Sequence, residues 1–214
     1  MRYITCIFLL ACFISCSNKK EKSTAIESEI KTTKTDKHIN IAGSRLFIVP
    51  PPGFKPLGTM VGLEKENGSQ MIIMDLVGGN FYTNAAQYNQ KSFENAGAKV
   101  FEFKEITING FPAKYLWMEN AEKMRAHNIV FGDSTFSVMI MANYAANDEQ
   151  TGKDILQSLQ TVWYDKSLQI DPFATAYFRA DDNGSKFRFA EFNAGMYIYS
   201  VDGKKMADDT TADK

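Results

Sequence analysis

VFEFKEITINGFPAKYLWME, residues 100–119, decides the fold. Near its middle stands Asn109-Gly110, a pair that tolerates positive φ at both positions and so closes a two-residue hairpin turn. On either side, apolar and aromatic residues alternate with polar ones at the period of a strand. The spacing predicts two antiparallel strands joined at that turn. Phe101 and Phe103 fall on one parity, whereas Ile106 and Ile108 fall on the other. A one-residue bulge near Lys104-Glu105 would bring both sets to one face.

Outward from this hairpin the same logic repeats. Residues 124–131 and 135–142 form a second hairpin across Gly132-Asp133-Ser134. Upstream, residues 60–65 and 70–77 flank Asn67-Gly68, another favoured two-residue turn. Residues 41–49 read as a strand, stopped by Pro50, Pro51, Pro52 and Gly53 because proline cannot donate to a ladder. Two helices complete the pattern. One runs from a cap at Thr83 or Asn84 to about Ala96, with Ala85, Tyr88, Phe93 and Ala96 on one face and Gly97 as its stop. The other spans residues 148–164, with Ile155, Leu156, Leu159, Val162 and Trp163 as its apolar stripe. Three strands, a helix, four strands and a helix give an α+β fold: a mainly antiparallel β-sheet flanked by two amphipathic helices, in a sandwich.

This domain is expected over residues 39–165. Beyond it, residues 166–203 are expected to form a C-terminal three-stranded appendage. Residues 177–203 either pack as an ordinary appendage on the sheet edge or copy the opening of the domain, residues 47–68, in a partial repeat. A different strand order in the two segments would remove the repeat. Residues 204–214 are polar and read as a disordered tail.

The start of the chain concerns location. Arg2 precedes an apolar run, Ile4 to Ile14, that is too short for a transmembrane helix of roughly 20 residues and suits a secretory signal. Ser15-Cys16 followed by Ser17, Asn18, Lys19 and Lys20 resembles the lipobox of bacterial lipoproteins. That resemblance implies a signal peptide over residues 1–15, acylation of Cys16, and attachment of the chain to membrane lipid. Cys12 is a second candidate, but it would leave a very short apolar run and an apolar stub behind it. Residues 17–38 hold six lysines and four acidic residues and no aromatic residue. Such a stretch buries too little apolar surface to offset its ordering entropy, so residues 16–38 read as a lipidated cysteine and flexible tether. The basic residues after Cys16 favour the periplasmic face, and Ser17 favours the outer membrane by analogy with a known sorting rule.

Across residues 40–165, about three fifths of the chain, the motifs resemble the PsbP/Mog1 superfamily. They are Pro51-Pro52-Gly53-Phe54 at the end of a strand, the hairpin from Ile106 to Ala113, and the helix stripe from Ile155 to Leu159. Members of that superfamily include photosystem extrinsic subunits, a nuclear-transport GTPase cofactor and envelope lipoproteins. The resemblance implies a non-catalytic accessory or binding protein and carries over no functional residue.

Composition narrows the chemistry. A net charge of −1 shows no overall bias toward nucleic acid. The three cysteines all lie within the first sixteen residues, so the rest of the chain has no disulfide and no thiolate metal site. The two histidines are His38, in the tether, and His127, on a strand. His127 alone does not make a catalytic triad or a zinc site, and no nucleophile-elbow or phosphate-cradling spacing accompanies it. No cofactor, no metal and no enzyme activity are expected. Two functions stay open. One is an envelope-anchored accessory module that docks on another envelope protein through a sheet face or the proline loop at Pro51, Gly53 and Phe54. The other is a binder of a small apolar ligand, lipid or hydrophobic peptide, between helix and sheet, lined by aromatic residues and by Met71, Met74, Met118, Met124, Met139 and Met141.

Overall fold

The computed structural model describes residues 25–76, 78–174, 176, 179–193 and 196–205. The signal segment, Cys16, the first part of the tether and the residues from 206 onward lie outside these. The strands before the first helix are β1 (Glu29–Ile30), β2 (Ile39–Asn40), β3 (Leu46–Ile48), β4 (Lys55–Pro56), β5 (Gly62–Glu64) and β6 (Gln70–Asp75). Two short helices follow, α1 (Phe81–Asn84) and α2 (Gln90–Asn95). Then come β7 (Lys99–Ile108), β8 (Phe111–Glu119), β9 (Met124–Gly132), β10 (Ser137–Ala145), α3 (Glu149–Leu159), β11 (Trp163–Tyr164), β12 (Phe187–Asn193) and β13 (Met196–Val201).

The main sheet has eight strands in the order β1-β7-β8-β9-β10-β6-β5-β4. All its pairings are antiparallel except β1 with β7. The turn between β7 and β8 is the expected one, with φ of 48° at Asn109 and 87° at Gly110. It pairs Ile108 with Phe111 and thereby sets the register along β7 and β8 as far as the bulge. One face of the sheet packs against α3 and a small sheet of β11-β3-β2, around Leu46, Ile108, Ile129, Phe131, Ile140, Ile155 and Leu159. The other face carries a smaller cluster of Phe81, Ala85, Tyr88, Leu116 and Val130 beneath α1 and α2.

That two-sided burial corrects the bulge. Phe103 packs with the α1–α2 cluster, whereas Ile106 and Ile108 belong to the opposite face, so opposite parity needs no reconciling at Lys104-Glu105. The bulge lies instead between Val100 and Glu102, and leaves Phe101 unpaired in the ladder with its ring against Trp117. Both helices are also shorter than their apolar periods suggest. The first is broken in two, with the side chains of Asn80 and Asn89 capping α1 and α2. The second ends at Leu159; Trp163 then pairs across from Phe47 in β3.

The segment expected as a tether up to residue 38 is part of the fold from Ala25 onward. Ile26 and Ile30 are 2% and 1% exposed and join the main core. β1 runs parallel to the end of β7, with Ile30 beside Ile108. The Asn109 side chain accepts from the Thr32 N–H at 2.7 Å and donates to the Val162 carbonyl at 3.1 Å, tying this segment to the hairpin and to the chain leaving α3. His38 Nε2–H donates to the Thr161 carbonyl at 3.0 Å, and the Lys34 ammonium lies 3.8 Å from the centre of the Phe47 ring.

At the other end, the described residues form a two-stranded ribbon, β12 paired with β13, rather than three strands. The opening segment behaves differently: β3 pairs with β2 and β11, while β5 pairs with β4 and β6. The two segments therefore differ in strand order, and the repeat is not reproduced.

Candidate functional site

β7, β8, β9 and β10 send side chains of one parity toward α3, and around His127 these do not close on the helix. With Gly152, Lys153 and Leu156 of α3 they line a cavity of about 210 Å³ that opens to solvent past the exposed Glu149 and Lys153. The sequence determines which side chains meet there. Trp117 pairs directly across from His127 in the β8–β9 ladder, and Tyr144 pairs with Arg125 in the next. Tyr115, two residues from Trp117, shares its face. The rings of Tyr115, Trp117 and Tyr144 lie within 15–19° of parallel to the imidazole, at centroid separations of 5.4–6.0 Å. Phe101, released by the bulge, lies against Trp117 with ring centroids 4.6 Å apart.

A hydrogen-bonded chain links these rings. The Trp117 indole N–H donates to the Tyr144 hydroxyl at 3.0 Å. That hydroxyl is 3.2 Å from His127 Nε2, and the Tyr115 hydroxyl is 2.7 Å from Nδ1. Burial pushes the His127 pKa down to about 4, partly offset by the backbone of Gly152, so the ring is neutral at neutral pH. Burial pushes both tyrosine hydroxyls up, so they remain protonated.

Four charged residues line the same cavity: Glu102, Arg125, Glu149 and Lys153. Arg125 is committed elsewhere, because its Nε donates to Glu119 at 3.1 Å. Arg125 and Lys123 hold the Glu119 carboxyl below its usual range. Glu102 is likewise paired outside the lining, with Lys104 at 3.5 Å, so Glu149 and Lys153 remain, and the lining has no net charge.

Gly152 lets α3 come this close. A Cβ at that position would stand 2.6 Å from the Tyr144 ring and 2.7 Å from its hydroxyl oxygen. Gly152→Ala is therefore expected to cost about 1–3 kcal/mol of stability through overpacking against a buried ring. Urea unfolding of the variant measures this; an unchanged midpoint would show that Tyr144 can move aside freely.

The other sequence-derived candidates lie elsewhere. Cys16 is outside the described residues. Pro51 is buried, Phe54 packs partly buried against the main core, and its N–H donates to the Pro51 carbonyl at 3.1 Å. Of that trio only Gly53 is exposed, in the left-handed conformation at φ 79°. No methionine lines the cavity under α3. Met71 belongs to the main core, and Met118 and Met139 pack with the α1–α2 cluster. Among the described residues no cluster of His, Cys, Asp or Glu is arranged to hold a metal ion.

A wider cleft of about 540 Å³ separates β6 and β11 from the β12–β13 ribbon. Burial pushes the Asp75 carboxyl up there, against the opposing pull of Arg45. Arg45 also donates to the Leu168 carbonyl at 3.0 Å.

No family model matches the chain, and no curated protein does. Among solved structures it is similar to the solution structure of cyanobacterial PsbP (CyanoP) from Synechocystis sp. PCC 6803. That match has 12% sequence identity and a TM-score of 0.38, covering 56% of this chain and 87% of the other. Nothing of that protein's role is carried over from it.

Proposed function

We propose that this chain is a non-catalytic binding module that takes a small, mainly apolar ligand between α3 and the sheet. Its opening residues suit action from the cell envelope, held by acylated Cys16 on the periplasmic side of the outer membrane, as an accessory to another envelope component. The observation that carries the binding reading is the cavity itself. Aromatic walls, a few convergent polar groups and a pre-formed space between secondary elements are the usual makings of a small-molecule site. The sequence reading puts methionines as well as aromatic residues around such a ligand, and no methionine lines this cavity.

Catalysis is disfavoured by how His127 is held. Both ring nitrogens face tyrosine hydroxyls, and its depressed pKa makes it a poor base at neutral pH. Native mass spectrometry of the full chain, isolated gently from its own envelope, tests the proposal. A small-molecule adduct is expected, and it should be lost in Tyr144→Ala. A chain that stays unliganded, and that no member of an aromatic fragment set stabilises against heat, would overturn it.

A further inference from the structure

The hydrogen-bond chain around His127 contains one more proton than it can use. With the imidazole neutral, its donors are the Trp117 N–H, one imidazole N–H and the two tyrosine O–H groups. Its internal links are three: Trp117 to Tyr144, Tyr144 to His127, and His127 to Tyr115. If Nδ1 carries the proton, it donates to Tyr115, Tyr144 donates to Nε2, and the Tyr115 O–H is left over. If Nε2 carries it, Tyr115 donates to Nδ1 and Tyr144 accepts, leaving the Tyr144 O–H over. The Gly152 backbone interacts with the imidazole, and neither tyrosine hydroxyl hydrogen-bonds to it. In either case one phenolic O–H is without an acceptor inside the network.

Both phenols line the cavity and are almost wholly buried. A buried donor of this kind needs a partner. Neither hydroxyl is bonded to the carboxylates of Glu102 or Glu149, so the partner has to come from the cavity. The walls set the remainder of the ligand. Near-parallel rings favour a planar molecule, and a lining without net charge favours an uncharged one. An apolar cavity of about 150 Å³ holds benzene, so about 210 Å³ suits one or two fused rings.

Resting on the binding reading above, we propose that the ligand is an uncharged, planar one- or two-ring molecule bearing a hydrogen-bond acceptor, which receives the surplus tyrosine proton. A carbonyl or a ring nitrogen would serve.

Quinoline and naphthalene separate the two claims, since they share a shape and differ in one acceptor nitrogen. The chain has two tryptophans, Trp117 and Trp163. The indole N–H peak of Trp117, assigned with Trp163→Phe, reports binding directly from inside the network in a ¹H–¹⁵N titration. Quinoline is expected to shift that peak and to bind about tenfold more tightly than naphthalene, the effect of one buried donor satisfied rather than stranded. Equal or tighter binding of naphthalene would overturn the acceptor while leaving the ligand site standing. If neither compound moves the peak, both the acceptor and the binding reading fall.

Discussion

A chain that starts at residue 39 is expected to show no cooperative unfolding transition, whereas one that starts at residue 25 unfolds cooperatively. The difference comes from two isoleucines and a two-residue strand. Ile26 and Ile30 are sealed in the main core, and β1 closes the outer edge of β7. Removing one buried isoleucine side chain costs about 2–5 kcal/mol, and removing two costs about 4–10. Losing the strand also exposes the ladder groups of β7 and frees Asn109 from Thr32. A domain of this size is stable by about 5–15 kcal/mol, so little stability would remain. Urea unfolding of the two chains, followed by far-ultraviolet circular dichroism, measures it. Equal midpoints would mean that residues 25–38 rest on the fold without supporting it.

The second large effect is acid sensitivity in a window that belongs to His127. Its pKa falls from 6.5 when unfolded to about 4 when folded. Between those values the unfolded chain binds a proton that the folded chain refuses. Stability is therefore full above about pH 7 and declines as the pH drops toward 4, by about 3 kcal/mol in all. Asp75 acts in the opposite sense, because its raised carboxyl lets the folded state hold a proton that the unfolded state releases. Asp133, drawn down to about 2 chiefly by its hydrogen bond with Lys166, loses its contribution only at lower pH. His127→Gln removes the titration and leaves both carboxylates in place. The slope of unfolding free energy against pH between 4 and 6.5 should flatten in that variant, relative to the original chain. Parallel slopes would place the acid sensitivity elsewhere.

Much of the sheet was legible because turns act locally. Asn67-Gly68 and Asn109-Gly110 each declare a hairpin, and the second sets the register that puts Tyr115 and Trp117 on one face. The N-terminal strap was not legible. Its two buried isoleucines lie among lysines, threonines and glutamates, and an average over such a window reports a solvated chain. What holds it are contacts with residues 107–109 and 160–162, far away in sequence. The end of α3 was misread for a related reason. Val162 and Trp163 continue the helical period after Leu159, yet Trp163 owes its place to pairing with Phe47 in a strand.

The site shows the same division. The strand carrying His127 was readable. The convergence of the aromatic rings was not, since it depends on three successive ladders and on α3 resting over them at Gly152. The parity of β7 gave no signal of it, because Phe103 is out of step with Ile106 and Ile108 simply by burying on the opposite face of the sheet. The bulge fell at Phe101, where it sets a ring against the cavity wall.

Whether the chain binds a ligand is decided in the space between α3 and the sheet. A crystal structure of the chain purified from its own host tests it most directly. Continuous density for a flat molecule in the pocket under α3, packed against the ring wall of Trp117, His127 and Tyr144 and within hydrogen-bond reach of a tyrosine hydroxyl, is the predicted result. A space closed by the chain's own side chains, with Leu156 and Lys153 folded against the rings, would contradict it.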